Sequence, residues 1–479
     1  MVERKRWENN FSEWFQDVIF KAELMDYRYP VKGCGVWLPY GFKLRSNVVS
    51  LIRKLLDETG HEEVLFPLMI TSRMIGKESE HVESFEEQIF WVTHAGKREL
   101  DEKLALRPTS ETAIAPMLKL WIRSHADLPK KYYQIVSVFR YETKATRPFI
   151  RLREVTTFKE AHTSHESYED AEKQIREAIK IYNRFFDELC LPYLVSKRPE
   201  WDKFAGALYS IAYDTIFPDG RVLQIGTIHN LGQNFSKAFD ITFEKRDGSR
   251  DYIWQTCYGI SERVIAAVVA VHGDDHGLVL PPTVAPIQIV IIPIPYKEYE
   301  EKVLEKCRSV EEKLKREGLR VKLDSREKLT PGAKFFEWEF KGVPLRVEIG
   351  PRDYEENTLT LVRRDTLERV RIKDSEAVKK TFEMLSMIQE SLRRRALKYL
   401  LDRVKRAESV EEVVRLTSEK PLIVEVGWCG KSDCGVALEE KTNLSVLGIP
   451  TDEASPPENM KCLICGEKAK FIVRIAKTY

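Results

Sequence analysis

The sequence predicts a multidomain α+β protein, and three observations lead there. Its 479 residues are about three times the ~150 of a typical domain. The prolines Pro281, Pro282 and Pro286 mark a linker between two differently patterned regions. Beyond about residue 410 the chain becomes a small cysteine-containing region that holds Cys429, Cys434, Cys462 and Cys465. Hydrophobic residues at 43% and charged residues at 32% supply real cores and are unlike a disordered chain.

The elements follow in order. Residues 11–22 form an amphipathic helix, because Phe11, Trp14, Phe15, Val18, Ile19 and Ala22 recur at helical spacing. A second helix carries Leu44, Val48, Leu51, Ile52, Leu55 and Leu56, ends at Gly60 and runs into a strand, Val64-Leu65-Phe66, stopped by Pro67. From about 132 to 163 two strand-like runs flank the basic loop KATRPFIRLR, and an apolar helix occupies 259–272. After the prolines, the apolar run 287–294 reads as a buried parallel strand. The order helix, LRVKL, helix from Thr330-Pro331, and VPLRVEI then gives a compact βαβαβ module with two more strands near 358–373. A long helix carrying Met384, Met387, Ile388, Leu392 and Leu397 leads out. The divisions expected are 1–283, 284–400 and 401–479.

Several function classes are excluded. Lys+Arg 77 against Asp+Glu 75 leaves +2, so any polyanion must meet local basic patches rather than a globally basic surface. The longest apolar run, Val264–Val271, is far short of the ~20 residues that span a bilayer. No secretion-type leader opens the sequence, so a cytoplasmic protein with thiols or metal, not disulfides, is expected. GWCGKS at 427–432 has the wrong spacing for a phosphate loop, and no GxGxxG follows a strand.

The chemistry concentrates at 107–162. In VSVFRYET a period of two places Arg140 and Glu142 on one strand face; in REVTTFKEAH, Phe158, Glu160 and His162 share another. The loop between adds Lys144, Arg147, Arg151 and Arg153, and Thr109 and Glu111 stand two apart in RPTSET. Arginines with paired carboxylates and a histidine suit a phosphate-bearing substrate that also carries a cation. A hairpin with a merely solvated polar face reads equally well at this point. The spacing Cx4C, 27 residues, Cx2C formed by Cys429, Cys434, Cys462 and Cys465 is that of a closed structural Zn²⁺ site. Cys34, Cys190, Cys257 and Cys307 read as buried core or pocket residues.

FRYE with its basic loop resembles the second signature of class II aminoacyl-tRNA synthetases, the helix ending near Pro67 the first, and GISERVIAAV the third. RPTSET, FKEAHT, GTIHNLGQNFSKAFDI, VEIGPRD and the four-cysteine tail narrow this to the prolyl family of archaeal and eukaryotic-like type, over essentially the whole chain. The resemblance implies an antiparallel-sheet catalytic domain, an α/β anticodon-binding domain and a small zinc-binding domain. It implies ligation of L-proline to its tRNA through prolyl-adenylate, using ATP and Mg²⁺, in a homodimer formed through the first signature near 43–67.

It also implies roles. Arg140, Glu142 and Arg263 would be catalytic. Thr109, Glu111, Arg140, Phe158, Glu160, His162, Phe204 and His229 would hold proline. Arg140, Glu142, Arg151, Leu152, Gln224, Thr227, Ser261 and Arg263 would hold ATP. Glu348, Arg352 and Asp353 would read anticodon bases, and seven basic residues between Arg393 and Arg406 would follow tRNA phosphates. Tyr479 would lie toward the active site. The segment REVTTFKEAH is one residue longer than the usual REFLWQEGH, with Val155 in place of an aromatic. His162 to Gly259 is too short for an editing insertion, so no alanyl-tRNA hydrolysis in cis is expected. A threonyl enzyme would need a pocket zinc, for which the sequence offers no matching His/Cys set. A non-catalytic synthetase-like subunit would lack the signature arginines.

Overall fold

The computed structural model describes residues 3–76, 86–294, 296–419, 421–452 and 456–479. The first helical pattern forms Phe11–Lys21 and buries Phe11, Trp14, Phe15, Val18 and Ile19. The second forms Pro39–Asp57, opened by a proline whose missing N–H has no partner to lose at a helix start. Both pack into the largest core with helices Tyr168–Glu188 and Arg263–His272.

That core lies against an antiparallel sheet with spatial order Leu194–Lys197, Tyr209–Ile216, Val222–Gly232, Trp254–Ile260, Glu154–His165 and Lys130–Phe139. Glu62–Glu63 closes one edge, parallel to its neighbour. The expected strand at Val64–Phe66 is displaced to those two glutamates. Val64 still donates to Tyr133 O, but Phe66 N turns to the Gln134 side chain at 3.0 Å, which ends the ladder. The strand read through 136–143 stops at Phe139 for a similar reason: Arg140 N donates to Arg153 O and Tyr141 N to Gln88 O, on different elements. The extra residue in REVTTFKEAH is a β-bulge, since Val136 pairs with Phe158 and Val138 with Val155, leaving Thr156 and Thr157 opposite Ser137.

The module after the prolines has a sheet of order Val321–Leu323, Ile289–Pro293, Leu345–Ile349, Thr358–Arg363, Arg369–Lys373, the first three parallel and the rest antiparallel. The last region is less separate than its sequence suggests. Its strands Val404–Arg406, Ile423–Trp428, Phe471–Ala476 and Ser445–Pro450 continue the catalytic sheet, with Ile449 paired to Lys197 and Pro450 to Ser196.

Of the seven basic residues near 391–407, Arg403 is buried and Arg395 half-buried, while Arg393, Arg394, Lys398, Lys405 and Arg406 are exposed, several of them with partners in the fold. Arg393 donates to Asp187 O, Arg395 to His272 O and Arg403 to Glu8, and Arg406 pairs with Glu425. Helix Ala377–Leu401 lies across the catalytic domain, so one side of it faces backbone carbonyls that need donors. Among the described residues no helix is long and apolar enough to cross a membrane.

Candidate active site

The sheet's open face and the helix Arg263–His272 bound a cavity of about 300 Å³. Fourteen of the fifteen residues expected around proline and ATP line it; His162 alone does not. Arg140, just past its strand, is anchored by Nε to Pro108 O at 2.9 Å, with its guanidinium 5.6 Å above the Phe158 ring. Arg263, the first residue of its helix, is anchored by Nε to Ile150 O at 3.1 Å. Burial, then the neighbouring charge of Arg140, pushes Arg263 down to about 10. Two guanidinium groups 123 positions apart in the chain therefore face one hollow, a fixed positive field for phosphate.

An acidic end lies beside Arg140, whose nearest charges are Glu160 and Glu111. The Thr109 hydroxyl bridges the carboxylates of Glu111 and Glu160, 3.1 Å from the latter, and Ser110 N donates to Glu160 at 3.2 Å. Burial and then Glu111 raise the Glu160 pKa. Two buried carboxylates this close favour a cationic guest. Phe204 lies against His229, ring centroids 4.7 Å apart, and Ser210 fixes the His229 ring through Nδ1 at 2.7 Å. Glu142, 3.8 Å from Arg151, also lines the cavity, with Leu152 and Val155; Gln224 and Thr227 come from strand Val222–Gly232, and Ser261 accepts from Arg263 N at 3.3 Å.

His162 sits behind the acidic end, 7% exposed. Cys257, read from sequence only as core or pocket, lines the cavity and lies 3.1 Å from Glu111 Oε1. Glu111, His162 and Cys257 bring one donor atom each within 4.8 Å of one another. No local motif marks this set, because the three residues are far apart in the chain and one is a carboxylate. Arg198, just past strand Leu194–Lys197, also lines the cavity and carries no local sequence signal; it is buried, donates to Leu447 O and pairs with Asp214 at 2.9 Å.

Elsewhere Cys429, Cys434, Cys462 and Cys465 converge with sulfurs within 4.8 Å. Burial opposes ionisation of Cys462, but backbone N–H groups of Cys465, Ile464 and Cys429 bring it to about 7. That donor set fits a tetrahedral thiolate metal. Of the three expected base readers only Arg352 is exposed, its side chain bonded to Glu356. Glu348 is 2% exposed and held by Arg346 and Arg369; Asp353 caps Gly350 N and binds Arg371. Both carboxylates are occupied within the fold.

The tRNA synthetase class II core domain (G, H, P, S and T) matches residues 90–272, an anticodon binding domain 288–384, and the prolyl-tRNA synthetase C-terminal domain 410–479. The chain is 57% identical to the proline--tRNA ligase of Sulfurisphaera tokodaii over 100% of both chains, and 56% identical to that of Aeropyrum pernix over 99% of both. A solved structure of Giardia lamblia prolyl-tRNA synthetase in complex with prolyl-adenylate superposes with TM-score 0.96 at 37% identity, over 100% of this chain and 99% of that one. The chain belongs to the prolyl-tRNA synthetase family of class II synthetases.

Proposed function

We propose that this chain ligates L-proline to its tRNA in two steps, forming prolyl-adenylate with release of pyrophosphate and then transferring the prolyl group to the tRNA 3′ end. The observation that carries the reading is one cavity in which Arg140 faces both the buried carboxylates Glu111 and Glu160 and the second guanidinium, Arg263. A secondary ammonium placed on Thr109, Glu111 and Glu160 leaves the proline carboxylate pointing at Arg140. Arg140 then neutralises both that carboxylate and the α-phosphate as oxygen attacks phosphorus in line, while Arg263 and Ser261 hold the outer phosphates. Phe158, Phe204 and His229 bound the ring; His162 supports them from behind. Arg151, Leu152, Gln224 and Thr227 hold the nucleotide base and sugar. Catalysis is positioning and electrostatics, with no covalent enzyme intermediate. Glu142, a carboxylate on the nucleotide side, fits Mg²⁺, which when bound shares the pyrophosphate charge.

Residues 1–283 carry this chemistry, 284–400 contact the anticodon through Arg352, and 401–479 hold structural Zn²⁺ on the four cysteines. Two copies join through the first signature, a reading supported by the exposure of Leu65 at 81% and Met69 at 53%. The enzyme works in the cytoplasm on proline tRNA. ATP–pyrophosphate exchange with each amino acid tests the reading: proline should stimulate it, whereas stimulation by threonine alone, or by nothing, would overturn it.

A further inference from the structure

We infer that the acidic end of the cavity is also a binding site for a soft divalent cation, best fitted by Zn²⁺, with Glu111, His162 and Cys257 as ligands and one position open to the cavity. Three observations support it. The candidate donor atoms of these residues lie within 4.8 Å of one another. Zinc bonds of about 2.0–2.3 Å need donor spacings of roughly 3.5 Å, so a small side-chain adjustment suffices. The Cys257 sulfur is already 3.1 Å from Glu111 Oε1. Second, His162 is 7% exposed and its Nε2 has no hydrogen-bond partner, an orphan atom that needs a physical reason. Third, Glu111 and Cys257 line the cavity, so an ion there keeps an open coordination position.

The donor set chooses the ion. A thiol and an imidazole beside one carboxylate disfavour Mg²⁺ and Ca²⁺, which take oxygen, and favour Zn²⁺. On binding, the Cys257 proton passes to solvent and the thiolate takes its place on the metal. Glu160, next to Glu111, adds attraction without serving as a ligand. The ion and proline exclude each other; this clause rests on the proposed placement of the proline ammonium on Glu111. Zinc is then an inhibitor competitive with proline, acting within the site and unrelated to the cysteine tail.

The test uses the full chain with its tail already filled with Zn²⁺. Added Co²⁺ should give a thiolate-to-cobalt absorption band in the wild type that is absent in Cys257→Ala and strongly weakened in His162→Ala. Zinc counted after gel filtration should fall by one equivalent per chain in both variants. If Cys257→Ala does not fold, Cys257→Ser keeps the volume without the soft donor and serves instead. Absence of the extra equivalent in the wild type, or its retention in the variants, overturns the site. Saturating proline should abolish the band; a band that survives proline overturns the competition and the placement of proline on Glu111, while the metal site stands.

Discussion

Arg364 and Asp274 form a two-pronged buried ion pair, Nη1 to Oδ2 and Nη2 to Oδ1 both at 2.7 Å, where the anticodon module meets the catalytic domain. Asp274 follows Gly273, the C-cap of helix Arg263–His272, whose other end places Arg263 in the cavity. The same helix end is held by Arg4 and Arg395, both donating to His272 O. A residue of the anticodon-binding module thus fixes the axis on which the cavity arginine Arg263 is mounted.

Replacing Arg364 with Leu leaves the buried Asp274 carboxylate without either guanidinium bond and with only the His276 N–H as a hydrogen-bond donor, which costs roughly 3–5 kcal/mol. Thermal unfolding should show a large loss, and proline-dependent exchange should fall in the remaining folded protein. The exposed pair Lys398–Asp402 is the control, since its removal should change stability by less than about 1 kcal/mol. Equal effects at both pairs would remove the strut from consideration.

How much of this was legible follows from what each residue depends on. Periodicity exposed Phe11–Lys21 and Pro39–Asp57 because their buried faces recur locally. The cavity residues were recognisable because short signatures carry them, although the strand read through 136–143 stops at Phe139, just before Arg140. The local sequence singles out Glu348, but not its partner Arg369, which lies on a strand two places away in the sheet, a pairing no local pattern shows. The same holds for Arg395, whose acceptor is His272 O, and for the strand pairing of Ile449 with Lys197. The extra residue beside Val155 was visible as a length difference; only the register shows that it is a bulge.

That bulge ties the three signatures together and gives a pH dependence. Thr156 donates N–H and hydroxyl to Glu262 Oε1, the N–H at 2.7 Å, while Arg45 of helix Pro39–Asp57 donates to Thr157 Oγ1 and Thr156 O. Burial raises Glu262 to about 7, against the hydrogen bonds from Thr156. The folded state therefore binds more protons than the unfolded state between about 4.5 and 7, and this group's contribution to stability falls as pH rises through that window. The loss is of order 3 kcal/mol. Glu262→Gln should flatten this part of the midpoint-versus-pH curve and raise stability near pH 8. An unchanged slope would show that Glu262 ionises normally.

The four-cysteine site should couple to the catalytic sheet. Cys434 lies in the first turn of helix Ser432–Thr442, and the strand that follows, Ser445–Pro450, pairs with Leu194–Lys197. Cys462→Ser, or a strong chelator, should lower the unfolding midpoint by several degrees and raise hydrogen exchange at residues 194–197. If exchange rises only within 404–476, the two parts are mechanically independent despite the shared sheet.

Tyr479 makes the closest link between the last residues and the signature loop. Its hydroxyl donates to Asp219 at 2.8 Å, its N–H donates to Val222 O, and Arg147 stands 5.3 Å over its ring. Arg147 and Arg151 bond to each other through both backbone N–H groups, so the ring steadies the loop that sets Arg151 and Leu152 in the cavity. A cation–π contact of this type is worth about 0.5–2 kcal/mol. Tyr479→Ala should therefore raise KM for ATP in tRNA-independent exchange by roughly 3- to 30-fold, with a smaller change in kcat. Tyr479→Phe keeps the ring and loses only the Asp219 bond, so its KM should stay near wild type. Identical defects in the two variants would assign the effect to the hydroxyl and leave the Arg147 contact without a role in ATP binding.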